Sequence, residues 1–447
     1  MTEDTSCAGA ERQTHGLQRR LGLFDLICLG LNSVIGSGIF LSPGLIAGKL
    51  GSLAAAAFAA GGVLCLAIAY CFAEMASMFP SNGGACAYAR EAFGPFTGFL
   101  VGWVMWLSCL VGGAAVAVSF GEMLARRLSG LAAAVGLPLD ATPAMATTLA
   151  CAVIVILAMV NLRGARHGAA SNNGLALLKL APLSFFALWA LPEIDEKAIP
   201  ILGTPGQDLL GGLLLVLYTF SGFEEIPVPA GETRDAEQNV PQALGAVLVL
   251  ATGFYVVIQA AVVSLGGAGS ATPLEDAASG SRLLSLVVAA SSLAALASVN
   301  ASIAFTGPRS LWVLAADGWM PAALARLTPG TGTPRAAVFV TSGLTLALCA
   351  SGTFETLAVL SVLASLLQYL PTILGVLVLR RTQPNLPRPV RIPYGNLIPV
   401  TALAVCLLLL STSHRSYLVG AAVALAIGAA VGAPRLLASR KRSETSA

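Results

Sequence analysis

The chain has 447 residues, 56% of them hydrophobic and 11% charged, with a formal net charge of +3. Soluble domains carry about 25% charged residues, so this chain lacks the polar surface to live in water and reads as an integral membrane protein. Its basic residues form no nucleic-acid-binding stripe, and its nine cysteines follow neither disulfide-framework nor metal-ligand spacing.

In chain order, residues 1–20 are polar, end in Arg19-Arg20 and contain no apolar core of the kind a signal peptide needs. They read as a cytoplasmic tail. A membrane span needs about 20 apolar residues. Twelve stretches meet that need, at 22–48, 53–79, 96–123, 143–161, 172–192, 209–231, 241–266, 282–315, 334–352, 354–380, 393–412 and 416–435. Glycine, proline and charge clusters separate them, the slightest divider being Gly352-Thr353. With the N-terminus inside, 18 of the 25 Lys and Arg residues fall on the inner side and six outside, leaving one lysine within a span. Outer loops are acidic instead, as in "PEIDEK" (192–197). Arg126-Arg127 runs against the trend. Both termini are therefore expected in the cytoplasm of a multi-pass cell (inner) membrane protein, with residues 436–447 as a second, disordered tail.

Two spans are interrupted near their middles. Span 1 contains Gly36-Ser37-Gly38, and span 6 contains "YTFSGFEEIPVP" (218–229), with Gly222 followed by Pro227 and Pro229. Paired interruptions at matching places in two halves of a chain point to a transporter's binding site. A break frees amide N–H groups at the start of one half-helix and carbonyls at the end of the other. The first favours an anion and the second a cation, which suits the carboxylate and ammonium of an amino acid. The amides near Ser37, Gly38 and Ile39 are expected to face the carboxylate. Carbonyls of Val34 or Ile35, and of Tyr218 or Ser221, are expected to face the ammonium. Gly36, Gly38 and Gly222 let the backbone approach the ligand. A close-packed interface of small residues is the alternative reading.

Ionisable residues at bilayer depth are functional candidates by default. Lys179, within "SNNGLALLKLAPLSFF" (171–186) of span 5, is the one such lysine. A structural or snorkelling lysine is the competing reading. Ser298, Ser302 and Thr306 share one face of span 8, and Ser302 is the expected partner of Lys179. A lysine that releases its proton in one conformation would couple transport to H⁺, so the proton is the expected coupling ion and no other cofactor is implied. Glu224, two residues past Gly222, either gates the site or caps the new half-helix. Glu225 is expected on another face, without a role. Tyr218 is a candidate lid. Met105, Trp106, Ser108 and Cys109 of span 3 are candidates for the side-chain pocket. Glu74, Arg90 and Glu91 read as gate or loop salt bridges, mostly solvated.

Several segments together resemble a known family. "GSGIF" (36–40) is similar to the Gly-(Ser/Thr/Ala)-Gly-Ile-Phe signature of the amino acid–polyamine–organocation permeases. "FPSNGGACAYAREAFGPFTGFLVGW" (79–103), "GETRDAEQNVPQAL" (231–244) and "GPRSLWVLAADG" (307–318) resemble three further motifs of those permeases. Cys86, Asp235-Ala236 and Ser221 depart from the family's usual residues. The resemblance implies an all-α, twelve-span, LeuT-type fold. It would comprise a five-helix repeat (22–192), a second, inverted repeat (209–380) and two trailing helices (393–435). It also implies L-amino-acid transport by alternating access. In some members of the family a span 5 lysine replaces a sodium ion, held by span 1 carbonyls and a span 8 hydroxyl.

Other classes fit less well. A cationic amino acid or polyamine exchanger, favoured by Glu224 at a position where acidic residues of related permeases gate the site or meet cationic substrates, is the alternative within transport, and an amino-acid sensor that moves nothing is the alternative outside it. An enzyme would need a polar cluster at depth, but His15, His167 and His414 all lie in tails or loops. No phosphate-cradling loop is present in the sequence.

Overall fold

The computed structural model describes residues 19–195, 209–267, 273–351, 354–412 and 415–445. Apolar stretches bounded by glycine and proline become helices, because a backbone in hydrocarbon must satisfy its own hydrogen bonds. Among the described residues, seven helical segments are long and apolar enough to cross a membrane, including Pro95–Ala134, Ala236–Ser264 and Arg282–Ala316. Their outward faces are greasy: Val63, Leu188 and Leu286 are 62–68% exposed. An apolar exterior of this kind suits lipid and not water.

Span 1 is two helices, α1 (Leu23–Val34) and α2 (Ser37–Leu50), parted at Ile35-Gly36. Next come α3 (Ala54–Met78), a short α4 (Ala85–Phe93) and the 40-residue α5 (Pro95–Ala134). At 1.5 Å per residue α5 is about 60 Å long, twice the hydrocarbon thickness. The excess carries Arg126-Arg127 out of the apolar zone, where Arg127 pairs with Glu275. Then α6 (Pro143–Leu162) and α7 (Ala165–Ala190) complete the first half.

The second half departs from expectation. α8 (Leu209–Phe220) ends before Gly222, and no second half-helix follows it. The chain instead makes two 3-10 turns, Phe223–Glu225 and Ala230–Glu232. Pro227 and Pro229 lack the N–H groups an α-helix needs here. The remaining helices are α9 (Ala236–Ser264), the five-residue α10 (Pro273–Ala277), α11 (Arg282–Ala316), α12 (Arg335–Ser351), α13 (Phe354–Thr382), α14 (Leu397–Thr412) and α15 (Arg415–Thr445). α15 runs through residues 436–445, so most of the expected C-terminal tail is helical. Residues 1–18 of the N-terminal tail lie outside the described residues.

The helices packed around the break in span 1 determine its surroundings. α9 packs along α3 and against α1, while α11 packs on α5, α7 and α1. α1 is bolted to α7 by Asn32 Nδ2 donating to the Asn172 carbonyl at 2.6 Å, and by Asn173 Nδ2 donating to Asp25 Oδ1 at 2.6 Å.

Ion pairs cluster at the end where the described chain begins. Leu21 and Thr233 form a parallel bridge, and Glu232 receives a bidentate grip from Arg309. Asn82 Oδ1 accepts the Gly231 N–H, and Arg90 Nη1 meets Asp317 Oδ2 at 2.6 Å. Glu74 was expected to be solvated. It is instead fully buried and doubly bonded by Arg380, and it also accepts the Ile392 N–H. A carboxylate at this depth needs such partners to remain charged.

Candidate functional site

The two interruptions meet. A Cβ added to Gly222 would lie 2.6 Å from the Ser33 carbonyl oxygen, and one added to Gly38 would lie 3.1 Å from Thr219 Cα. Gly222 also has φ +115°, a conformation side chains resist. Gly222→Ala is therefore expected to cost more than about 1 kcal/mol and to suppress function. A detergent melting curve together with uptake in proteoliposomes checks this, and a variant indistinguishable from the parent in both would count against the close approach.

Between the breaks lies a cavity of about 100 Å³, room for several waters or a small solute. Gly36, Gly38, Ser221, Gly222, Glu224 and Glu225 line it from the broken segments, with Ser108, Cys109 and Gly112 from α5. The α5 residues share one face, spaced by one and four positions. Of the four residues expected from this helix, Ser108 and Cys109 face the cavity. Met105 does not line it and packs in the core. Trp106 turns away and donates to Thr341 Oγ1 at 3.1 Å.

α1 ends at Val34, so its last carbonyls are short of helical partners, although Leu31 O still accepts the Ile35 N–H and Val34 O the Gly36 N–H. Lys179 supplies further donors. Its ammonium lies 2.9 Å from Leu31 O, 3.3 Å from Asn32 O and 2.6 Å from Ile35 O, and 2.8 Å from Ser298 Oγ. Ser298 donates its own proton to Ala295 O, which leaves its lone pairs for the lysine. A cation at a helix C-terminus also opposes the helix dipole. The lysine does not snorkel: it is fully buried, while its neighbours Leu177 and Leu178 are exposed.

Ser302, the expected partner, is not on Lys179. It lies one helical turn along α11, bonded to Ser33 and to Leu29 O. The face was read correctly, but the register between α1 and α11 selects Ser298.

α2 begins at Ser37 with Gly36 as its N-cap, and no side chain caps it. The amides of Ser37, Gly38 and Ile39 are the free first-turn donors of that helix. Ile35 and Ile39 are fully buried, and neither lines the cavity. The Ser37 and Tyr218 side chains lie outside the described residues, so the proposed lid has no described geometry.

Two features escaped the sequence reading. The Tyr255 hydroxyl of α9 sits 2.7 Å from Val34 O and 2.8 Å from Thr219 O, joining the two interrupted segments. A tyrosine in an apolar span carries no local signal of such a role. Glu225 was placed on another face, yet it lines the cavity with Glu224. Helical spacing does not hold in 3-10 turns. Glu224 Oε2 accepts from the Gly222 N–H and the Tyr369 O–H, both at 2.8 Å, so Glu224 ties the break to α13. Among the described residues, no cluster of His, Cys, Asp and Glu could hold a metal ion.

The sequence that builds this cavity matches a known family. The family model described as amino acid permease covers residues 21–430. The chain belongs to the amino acid permease family. Among its relatives, this permease is 26% identical to the branched-chain amino acid permease BcaP of Bacillus subtilis (strain 168), over 96% of this chain and 94% of that protein. It is 23% identical to the methylthioribose transporter of the same organism, over 89% of each chain. It is 28% identical to human cationic amino acid transporter 4, over 83% of this chain and 62% of that protein. The relatives are transporters and permeases, not enzymes, and the permease is a multi-pass membrane protein like them. Three differing names leave its substrate to be argued from its own residues.

Proposed function

We propose that this permease is a secondary transporter of L-amino acids that works by alternating access in the cell (inner) membrane. Residues 22–192 and 209–380 form two five-helix repeats of opposite topology in a LeuT-type fold, followed by two helices over 393–435. The termini are cytoplasmic, as the excess of arginine at that side supports. One observation carries the reading: two interrupted segments touch, beside a cavity lined by Gly36 and Gly38 at the start of α2 and by the carboxyls of Glu224 and Glu225. A zwitterion complements that arrangement. Its carboxylate completes the first turn of α2 at Ser37, Gly38 and Ile39, and its ammonium meets the acceptor side of the breaks. The Ile35 carbonyl is engaged by Lys179 and the Val34 carbonyl by Tyr255, so the acceptors for the ammonium lie toward Ser221 and Glu224.

The same reading makes transport proton-linked. An ammonium offers three donors, and Lys179 has four acceptors within 3.3 Å, so the charged form is fully used. Loss of the proton removes one donor and loosens α1 from α7 and α11. The Glu232–Arg309 and Arg90–Asp317 pairs then act as the clasp that closes the cytoplasmic end.

The test is uptake of a panel of labelled amino acids by the purified chain in liposomes. Uptake driven by an outside-acid pH gradient and indifferent to sodium is the expected result. A sodium requirement would overturn the lysine's role. Binding without uptake would favour a sensor. A second reading, transport of cationic substrates, is favoured by the unexpected position of Glu225.

A further inference from the structure

Of the two acidic residues that line the cavity, Glu225 is the one with a carboxylate oxygen left unpartnered. Its neighbour Glu224 is engaged with Gly222 and Tyr369. Glu225 Oε1 accepts a long contact from Cys109 Sγ at 3.4 Å and the carboxylate also interacts with the Thr306 hydroxyl, but its Oε2 is buried without a hydrogen-bond partner. The side chain as a whole is 9% exposed. A buried carboxylate oxygen without a donor is costly, and proteins keep such groups where a ligand completes them.

The charges around the cavity point the same way. No Lys, Arg or His lines it among the described residues. Lys179 stands behind α1 with its donors committed to backbone. The ionisable side chains at the cavity are thus one amine and two carboxyls, Lys179 against Glu224 and Glu225. A zwitterion brings no net charge and leaves that imbalance in a low-dielectric site. A substrate with one further positive charge removes it. The location fits as well. Cys109, which touches Glu225, is on the α5 face opposite the breaks, where a side chain would extend once the α-carboxylate and α-ammonium were held.

We infer that Glu225 is a specificity-determining residue that receives a positive charge on the substrate's side chain, so that the site selects cationic α-amino acids. The inference rests on the amino-acid reading of the preceding subsection and names the substrate class for the same cavity.

Lysine with norleucine and ornithine with norvaline form the test. Within each pair the two compounds share an unbranched side-chain skeleton, but only the first carries a terminal amine. Each is measured as a competitor of labelled amino acid uptake by the reconstituted full chain, for wild type, Glu225→Gln and Glu225→Asp. The expected result is a preference for the amine-bearing member of each pair in wild type. Glu225→Gln should lower that preference by about tenfold or more, and Glu225→Asp should keep part of it. The ratio is insensitive to the amount of folded protein, so a poorly folding variant still reports. An unchanged ratio in Glu225→Gln overturns the inference, as does wild type that carries neutral amino acids while ignoring lysine and ornithine. In both cases the amino-acid reading survives. If wild type takes up no α-amino acid at all, both fall.

Discussion

Lys179→Ala is expected to reduce uptake by about 100-fold or more and to remove its response to a pH gradient. The magnitude follows from the contacts. Hydrogen bonds to a charged group contribute about 1.5–3 kcal/mol each, and this ammonium bonds to Leu31 O, Ile35 O and Ser298 Oγ at 2.6–2.9 Å. Without it the C-terminal carbonyls of α1 face apolar surroundings, and α1 loses a fastening to both α7 and α11. Uptake across a range of imposed gradients reads the coupling, and a melting curve in detergent reads the fold. If Lys179→Ala kept the full gradient dependence of the wild type, proton linkage through this residue would be wrong. Ser298→Ala should weaken uptake more than Ser302→Ala does, because only Ser298 bonds the lysine.

Arg309→Ala is expected to be the most destabilising single change in the charged clasp. Arg309 Nε and Nη2 lie 2.5 and 3.0 Å from the two Glu232 oxygens, and each side chain is 4% exposed. The guanidinium also donates to Phe305 O at 2.7 Å and stacks 3.6 Å from the Phe305 ring centroid. Removing one partner of a buried pair strands the other charge and costs about 3–5 kcal/mol. Removing both leaves no stranded charge. The Glu232→Ala/Arg309→Ala double variant should therefore melt above the Arg309→Ala single variant. A double variant that merely adds the two single losses would show that the pair is not energetically coupled. Glu91, the exposed partner of Arg90, offers a contrast, since Glu91→Ala leaves the Arg90–Asp317 pair in place and should be close to neutral.

The motifs and the arginine clasp explain each other. Glu232 belongs to "GETRDAEQNVPQAL", Arg309 and Asp317 to "GPRSLWVLAADG", and Asn82 and Arg90 to the segment after α3. Three motifs that lie up to 235 residues apart in the sequence converge at one end of the bundle through Glu232–Arg309, Asn82–Gly231 and Arg90–Asp317. Their separation hides the partnership from any local reading. The charges themselves were visible, and the burial of Glu74 was not, because burial depends on how α3 packs against α13 and the chain before α14.

The site was legible to differing degrees. A lysine amid leucines stands out at once, as does a glycine-serine-glycine run within a span. Glu225 was misplaced because the residues after Gly222 were read with helical periodicity, whereas Pro227 and Pro229 turn that segment into 3-10 turns. Ser302 was preferred over Ser298 because both lie on one face of α11, and a shift of four residues along a helix is invisible without the neighbour's register. Tyr255 could not be found at all, since its two acceptors lie 221 and 36 residues away.

The sequence by itself determined the solvent, the helical class, the two places where helices break and the presence of a lysine deep within a span. These follow from hydropathy and from glycine and proline chemistry, which act within a few residues along the chain. Tertiary structure alone decided which acceptors hold Lys179, which carboxylate is left without a donor, and how the two breaks touch. Those outcomes depend on crossing angles and register between helices distant in sequence, and a hydrogen bond tolerates only a few tenths of an ångström of error in either.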